Sequence, residues 1–270
     1  MGASTRYLLG ALGSLCLLAC GPANDAATDT AVDPNATSTV QAEPPVLVFG
    51  ATGGTGRRVV AQLLGQGRSV RAFVRDEASA REKLGDGVEY VTGDVRQPAT
   101  VRPALVGVKR VISAIGSSGR ARDPSNSPEA VDFGGVKTIA DEAAAAGVEH
   151  MVLVSSMGAS VEDHPLNEMF DNVLRWKFKG EEALRNSGVP YTIIRPGGLT
   201  EEPGGKSEIR IFAEDAGEGR IPRADVASVC VAALSNPIAM NKTLSVLSGE
   251  GEAGNDLNAA IAAIPADAKP

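Results

Sequence analysis

The stretch 46–64, VLVFGATGGTGRRVVAQLL, constrains the fold more than any other part of this chain. Four apolar residues read as a buried strand. Gly50, Gly53 and Gly56 follow at a three-residue step, and an apolar helical stripe begins directly after them. The first turn of a helix offers unpaired N–H groups and the positive end of the dipole, which suit phosphate. Glycine lets the backbone turn sharply and approach a pyrophosphate closely. The spacing is G-x-x-G-x-x-G, not the more familiar G-x-G-x-x-G. The loop Gly50, Thr52, Gly53, Gly54, Thr55, Gly56 is therefore the expected cradle of a dinucleotide.

The rest of the chain supports that reading by its alternation. Apolar, β-branched runs recur at 46–49, 69–74, 88–91, 110–115, 150–154, 190–194 and 243–247. Helix-like stretches lie between most of them, at 55–65, 77–84, 98–105, 128–146, 166–187 and 224–235. Strands alternating with helices predict an α/β fold, a doubly wound parallel sheet of about seven strands with helices on both faces. The inserts 116–127 and 196–207 both follow strands. Ligands in such sheets sit beyond the strand carboxyl ends, so these loops should border the site.

Before residue 46 the composition changes. Arg6 precedes YLLGALGSLCLLA, an apolar stretch too short to span a bilayer comfortably, and it ends in Leu17-Leu18-Ala19-Cys20. This resembles a bacterial lipoprotein signal. The resemblance implies removal of residues 1–19, a lipid on Cys20 and a domain held at the membrane of the bacterial envelope, facing the periplasm or exterior. Residues 20–45 are rich in Ala, Thr, Asp and Pro and read as a disordered tether. The domain proper is expected over 46–250, with a small substrate region at 196–225 and a tail at 251–270 holding at most a short helix. Cys230 would be the one remaining thiol, on an apolar helix, and reads as core. The formal net charge of −7, the pI near 5.0 and an aromatic content of 4% argue against nucleic-acid binding. No metal-ligand cluster is visible, since the two histidines lie apart.

The choice of nucleotide turns on the second strand. Dinucleotide sites for NAD place an acidic residue near its end for the ribose 2′-OH. Here VRAFVRD offers Arg71 and Arg75, and Arg57 and Arg58 follow the last glycine. Guanidinium suits a 2′-phosphate, so NADP is favoured, with Arg75 best placed. Asp76 argues the other way, toward NAD.

The segments FGATGGTGRRV, VRAFVRD, VTGDV, VISAIGS, MVLVSSMGAS, VLRWKFKGEEALRNSGVPYTIIRPGGL and IPRADVASVCVAAL occur in that order. Together they resemble the atypical short-chain dehydrogenase/reductase group, in its NAD(P)H-binding, NmrA-like branch, over residues 46–248. The resemblance implies a Rossmann-like fold. It places Asp94 beside the adenine, runs the backbone of Ser113, Ala114, Ile115 and Gly116 past the cofactor, and turns the chain at Pro196 over the nicotinamide end.

It also supplies a serine after the fifth strand, Ser155 or Ser156, with Ser156 expected to face the cleft more. The family's lysine falls on Lys177, which has Glu181 four residues on, or on Lys179. The family's tyrosine is missing: Val173 stands four residues before Lys177, and Arg175 four before Lys179. His164 is another proton donor to consider, on the loop after the fifth strand. Asp225 and Trp176 read as a helix-start residue and a packing residue.

Two readings follow. In one, the chain is an NADP-dependent reductase of a small carbonyl or quinone-like substrate, with Ser156 and Lys177 at the reacting centre. In the other, it holds a dinucleotide without turnover, as a redox-sensing module. An exported domain must also obtain its nucleotide, which is expected to be scarce outside the inner membrane.

Overall fold

The computed structural model describes residue 2 and residues 43–117, 124–214 and 217–268. Cys20, the signal and nearly all of the tether lie outside the described residues.

The strands run in chain order as β1 (Val46–Phe49), β2 (Val70–Val74), β3 (Glu89–Thr92), β4 (Arg110–Ser113), β5 (His150–Val154), β6 (Tyr191–Pro196), β7 (Gly198–Thr200), β8 (Ser207–Phe212), β9 (Arg220–Pro222) and β10 (Lys242–Glu252). The helices are α1 (Gly54–Gly65), α2 (Glu77–Leu84), α3 (Pro98–Val101), α4 (Val136–Ala145), α5 (Pro165–Met169), α6 (Val173–Asn186), α7 (Arg223–Ser235) and α8 (Leu257–Ala262). Eight strands form the main sheet in the order β3-β2-β1-β4-β5-β6-β10-β8, and β7 pairs with β9 apart from it. All neighbours in the main sheet are parallel except β10 and β8. The order reverses between β1 and β4, which is where an open α/β sheet forms its ligand crevice.

Alternation along β1 separates two cores. Val46 and Val48 join the layer with Val59 and Leu63 of α1 and Val229 and Cys230 of α7. Leu47 and Phe49 join the layer with Ile139 and Ala140 of α4 and Leu184 of α6. Each face of a parallel strand is thus covered by helices, which explains why these strands read as unbroken apolar runs. Cys230 is fully buried, and burial pushes its thiol up to about 12. His150 is buried at the start of β5. Its Nε2 lies 2.9 Å from Thr192 Oγ1, a hydroxyl that itself donates to the Ala239 carbonyl at 2.7 Å. The imidazole therefore donates from Nε2, and burial pushes its pKa down to about 4.

Four features differ from the sequence expectation. The sheet has an eighth strand, β8, antiparallel to β10, and β10 runs on to Glu252. The sequence SEIRIF carries only a short, half-buried alternation, a weak signal at a sheet edge. The stretch expected as one helix over 166–187 is broken by Asp171 and Asn172, both in left-handed backbone at φ 53° and 57°, which Asp and Asn tolerate better than most residues. The stretch at 128–146 opens as a π-helix over Glu129–Gly135 before α4. The stretch at 98–105 is α3 followed by a 3₁₀ turn at Arg102–Leu105, where Pro103 cannot donate to the helical ladder.

Candidate active site

Two contiguous cavities open at the carboxyl ends of the central strands. The smaller, about 190 Å³, is lined by Gly50, Thr52, Gly53, Arg75, Gly93, Asp94, Arg96 and the Ala114–Gly116 backbone, among others. The larger, about 1260 Å³, is lined by Gly53, Gly54, Thr55, Ala114, Ile115, Gly116, Ser155, Ser156, His164, Lys177, Pro196 and Arg223, among others. Gly53, Ala114, Ile115 and Gly116 border both, so one elongated ligand can lie across the pair.

The three glycines do different work. Gly50 has φ +72°, and a Cβ there would meet the Ala114 carbonyl oxygen at 2.5 Å. Gly53 caps α1 with ordinary extended angles, φ −74° and ψ 169°, and no side chain caps the helix. The first turn of α1 holds no acidic residue. Its N–H groups are thus left for an anion, and the absence of a side chain on Gly53 keeps the approach open. Gly56 lines neither cavity. A Cβ there would stand 2.1 Å from the Gly50 carbonyl oxygen, so its lack of a side chain lets α1 pack against the turn.

The arginines also separate. Arg75 borders the smaller cavity. Arg71 does not: its Nη1 donates to the carbonyls of Ala104 at 2.8 Å and Val106 at 2.7 Å. Arg57 and Arg58 pair with Glu201 at 3.5 Å and 3.0 Å. Asp76 caps α2, accepting from the Ser79 N–H at 2.7 Å, and lines neither cavity. Asp94 stands in the smaller cavity gripped by Arg96, whose Nε lies 2.8 Å from its Oδ1. The hydrogen bond from that guanidinium holds the Asp94 carboxyl below the usual carboxylate range.

In the larger cavity Ser155 and Ser156 diverge. Ser155 is nearly buried and donates to Glu181 Oε1 at 2.6 Å. Ser156 is the more accessible, its Oγ 3.1 Å from the Met157 carbonyl. Lys177 reaches the cavity, whereas Lys179 lies over the Trp176 ring at 4.3 Å. Trp176 itself stacks on Phe133 at 5.9 Å and lines neither cavity. Lys177 Nζ donates to Asp132 Oδ1 at 2.6 Å, and Asp132 Oδ2 accepts from the Ser117 N–H at 3.0 Å. His164 Nδ1 accepts from the Leu166 N–H at 3.2 Å, which leaves Nε2 as the protonated nitrogen of the neutral ring. Asp225 accepts from the Gly205 N–H at 2.7 Å, tying the loop after β7 to α7.

Three residues of the site escape a reading by motif. Arg96, Asp132 and Arg223 all border the cavities or hold a residue that does. Asp132 left one signal, an acidic residue set directly between Val131 and Phe133. Among the described residues, no group of three or more His, Cys, Asp or Glu could hold a metal ion, and no helix is long and apolar enough to cross a membrane.

Comparison with known proteins agrees with this geometry. A family model described as NAD(P)H-binding matches residues 50–237. The chain is 39% identical over 256 residues to the sanguinarine reductase of Eschscholzia californica, covering 79% of this chain and 93% of that one. It is 31% identical over 225 residues to the NAD(P)H azoreductase of Xenophilus azovorans, covering 81% and 73%. Among solved structures it resembles the anaerobillin reductase ChuY of Escherichia coli O157:H7, at 28% identity and a TM-score of 0.64, covering 78% and 100%. On a Rossmann-like sheet with two adjoining cavities at its strand ends, the chain belongs to the NAD(P)H-binding oxidoreductase family.

Proposed function

We propose that this chain is an NADPH-dependent reductase acting by direct hydride transfer on a small carbonyl or quinone-like acceptor. The observation that carries the reading is a convergence: Ser156, Lys177 and His164 border the same cavity as the glycine loop and the Ala114–Gly116 backbone. The nicotinamide supplies the hydride when bound. Lys177, held by Asp132, donates to ribose hydroxyls or to the acceptor oxygen. Ser156 offers that oxygen a second donor, and His164 Nε2–H a third. The three relatives described above are named as reductases, which supports a reducing role.

The missing tyrosine narrows the acceptor. Tyr90 donates to the Gly85 carbonyl at 2.6 Å and Tyr191 to Asp267 at 3.0 Å, and neither borders the larger cavity. Reduction of an aliphatic carbonyl develops an alkoxide, nearly as basic as hydroxide, whose parent water has a pKa of about 15.7. A quinone develops a phenolate-like oxygen with a pKa of about 10, which needs far less help from an acid. Quinone-like acceptors are therefore the better fit. A panel of quinones and aldehydes with NADPH should give turnover with quinones first. The second reading, a dinucleotide-holding sensor, is favoured by the commitment of Lys177 to Asp132, and it stands if no acceptor oxidises NADPH.

NADPH is preferred to NADH on three grounds. Arg75 borders the smaller cavity, Asp76 is spent on its helix cap, and Asp94 is held by Arg96. A charge-assisted contact to phosphate is worth ~1.5–3 kcal/mol. Arg75→Ala is thus expected to weaken NADPH about ten- to hundredfold while sparing NADH. Lys177→Ala should weaken both alike, because it would hold the ribose they share. Calorimetric titration of both variants with both nucleotides checks this. An equal loss of the two in Arg75→Ala would move the 2′-phosphate to Arg96.

The anchor rests on the sequence alone, since the family model begins at residue 50. We propose lipidation at Cys20 and an envelope location. Cys20→Ala should then move the protein from the membrane to the soluble fraction, and a wild-type protein already soluble would end the proposal.

A further inference from the structure

We propose that Arg223 clamps the diphosphate of the dinucleotide and that Glu201 competes with that diphosphate for it. The inference rests on the nucleotide-binding reading above. Arg223 opens α7, far in sequence from the glycine loop, yet its side chain lies across the first turn of α1. A Cβ on Gly54 would stand 2.7 Å from its Cδ and 2.8 Å from its Nε. Its Nη1 is 3.5 Å from Thr55 Oγ1, and the residue borders the larger cavity. A guanidinium is thereby fixed beside the N–H groups that the glycine loop leaves open.

Glu201 meets that guanidinium from the loop after β7. Its Oε1 accepts from Arg223 Nε at 2.7 Å, and its Oε2 accepts from Arg58 Nη2 at 3.0 Å. Arg57 Nη2 stands 3.5 Å from the same oxygen. Three guanidinium groups therefore converge on one carboxylate at the positive end of α1. Hydrogen bonds from Arg223, the larger contribution, and from Arg58 hold its carboxyl below the usual range. This carboxylate is 61% exposed, and exposed pairs of this kind are weak. A diphosphate brings more charge and more acceptor oxygens to the same fork. The pair is a built unit, because the Gly205–Asp225 hydrogen bond joins the Glu201 loop to the helix that carries Arg223.

The test is calorimetric titration of the full chain with NADPH and NADH in wild type, Arg223→Gln, Arg223→Lys and Glu201→Gln. Arg223→Gln should weaken both nucleotides equally, about ten- to hundredfold, because the diphosphate is common to them. Arg223→Lys should recover part of the loss as a point charge. Glu201→Gln should tighten both by roughly three- to tenfold by removing a competing negative charge. Loss of NADPH alone in Arg223→Gln would make Arg223 a 2′-phosphate residue and overturn the proposal, as would no change. Weaker binding in Glu201→Gln would mean that Glu201 aligns the arginines instead of competing, and would overturn the second half. Glu201 is exposed, so that arm survives even if the arginine variants fail to fold. A wild-type protein that binds neither nucleotide would end the nucleotide reading itself, which is a different failure.

Discussion

Gly53→Val is expected to abolish nucleotide binding while leaving the fold in place. Gly53 has φ −74° and ψ 169°, angles that valine adopts without strain. A Cβ there meets only the Gly50 carbonyl oxygen, at 3.2 Å, a contact relieved by a shift of a few tenths of an ångström. The two methyls would fill the junction where both cavities meet. Binding should fall by about a hundredfold or more, equivalent to about 2.7 kcal/mol or more, for NADPH and NADH alike. The other two glycines provide the contrast. Valine at Gly50 combines positive φ with a clash on Ala114, and valine at Gly56 drives a Cβ to 2.1 Å from the Gly50 oxygen. Those two variants should lose stability by ~1–3 kcal/mol or more through overpacking and strain. Thermal unfolding and titration of all three separate the roles. Normal NADPH affinity in Gly53→Val would remove the glycine loop from the site.

That contrast shows where the sequence was readable and where it was not. The loop motif pointed to a stretch that borders both cavities, because strand, glycine turn and helix are contiguous in the chain. It could not separate Gly53 from Gly56, because the difference lies in which backbone each one faces. The same limit applies to charge. Arg71 lies in β2 and Arg75 directly past its end, and Arg71 packs against the turn at 104–106 while Arg75 borders the cavity. Alternation would put both on opposite faces only at odd spacing, so the end of β2 at Val74, not the pleat, decides their fates. Lys177 and Lys179 were ambiguous by spacing. A helical step of two residues places them well around the helix from one another, so only one meets Asp132. Arg96, Asp132 and Arg223 reach the site from separate elements, and no local pattern announces such convergence. The break at Asp171–Asn172 was missed because an apolar stripe continues across it.

Glu181→Ala is expected to be the most destabilising single change near the site. Glu181 is fully buried on α6, one turn after Lys177. Its Oε1 accepts from Ser155 Oγ at 2.6 Å and Arg195 Nε at 2.9 Å. Its Oε2 accepts from Arg195 Nη2 at 2.7 Å and Arg185 Nη2 at 3.1 Å. One carboxylate thus joins the end of β5, β6 and α6, three elements that border the larger cavity. Two guanidinium groups, with side-chain exposures of only 8% and 17%, would lose this partner in the alanine variant. Breaking a buried pair by removing one member costs about 3–5 kcal/mol, because the other charge stays buried. For a domain of this size that is a fall in Tm of roughly 6–20 °C. Glu181→Gln keeps the shape and part of the hydrogen bonding, so it should lose less. Replacing Arg195 by methionine together with Glu181→Leu removes the central pair at once and should recover part of the loss, since apolar groups of similar volume often substitute for a buried ion pair. The network also sets the register of α6, so Glu181→Gln should weaken both nucleotides through Lys177 without changing the NADPH-to-NADH ratio. Denaturant unfolding of the three variants, with the two titrations, tests both claims. A fall of only about 2 °C in Glu181→Ala, less than 1 kcal/mol on the same scale, would show that the two arginines find other partners and that the carboxylate does not hold the site together.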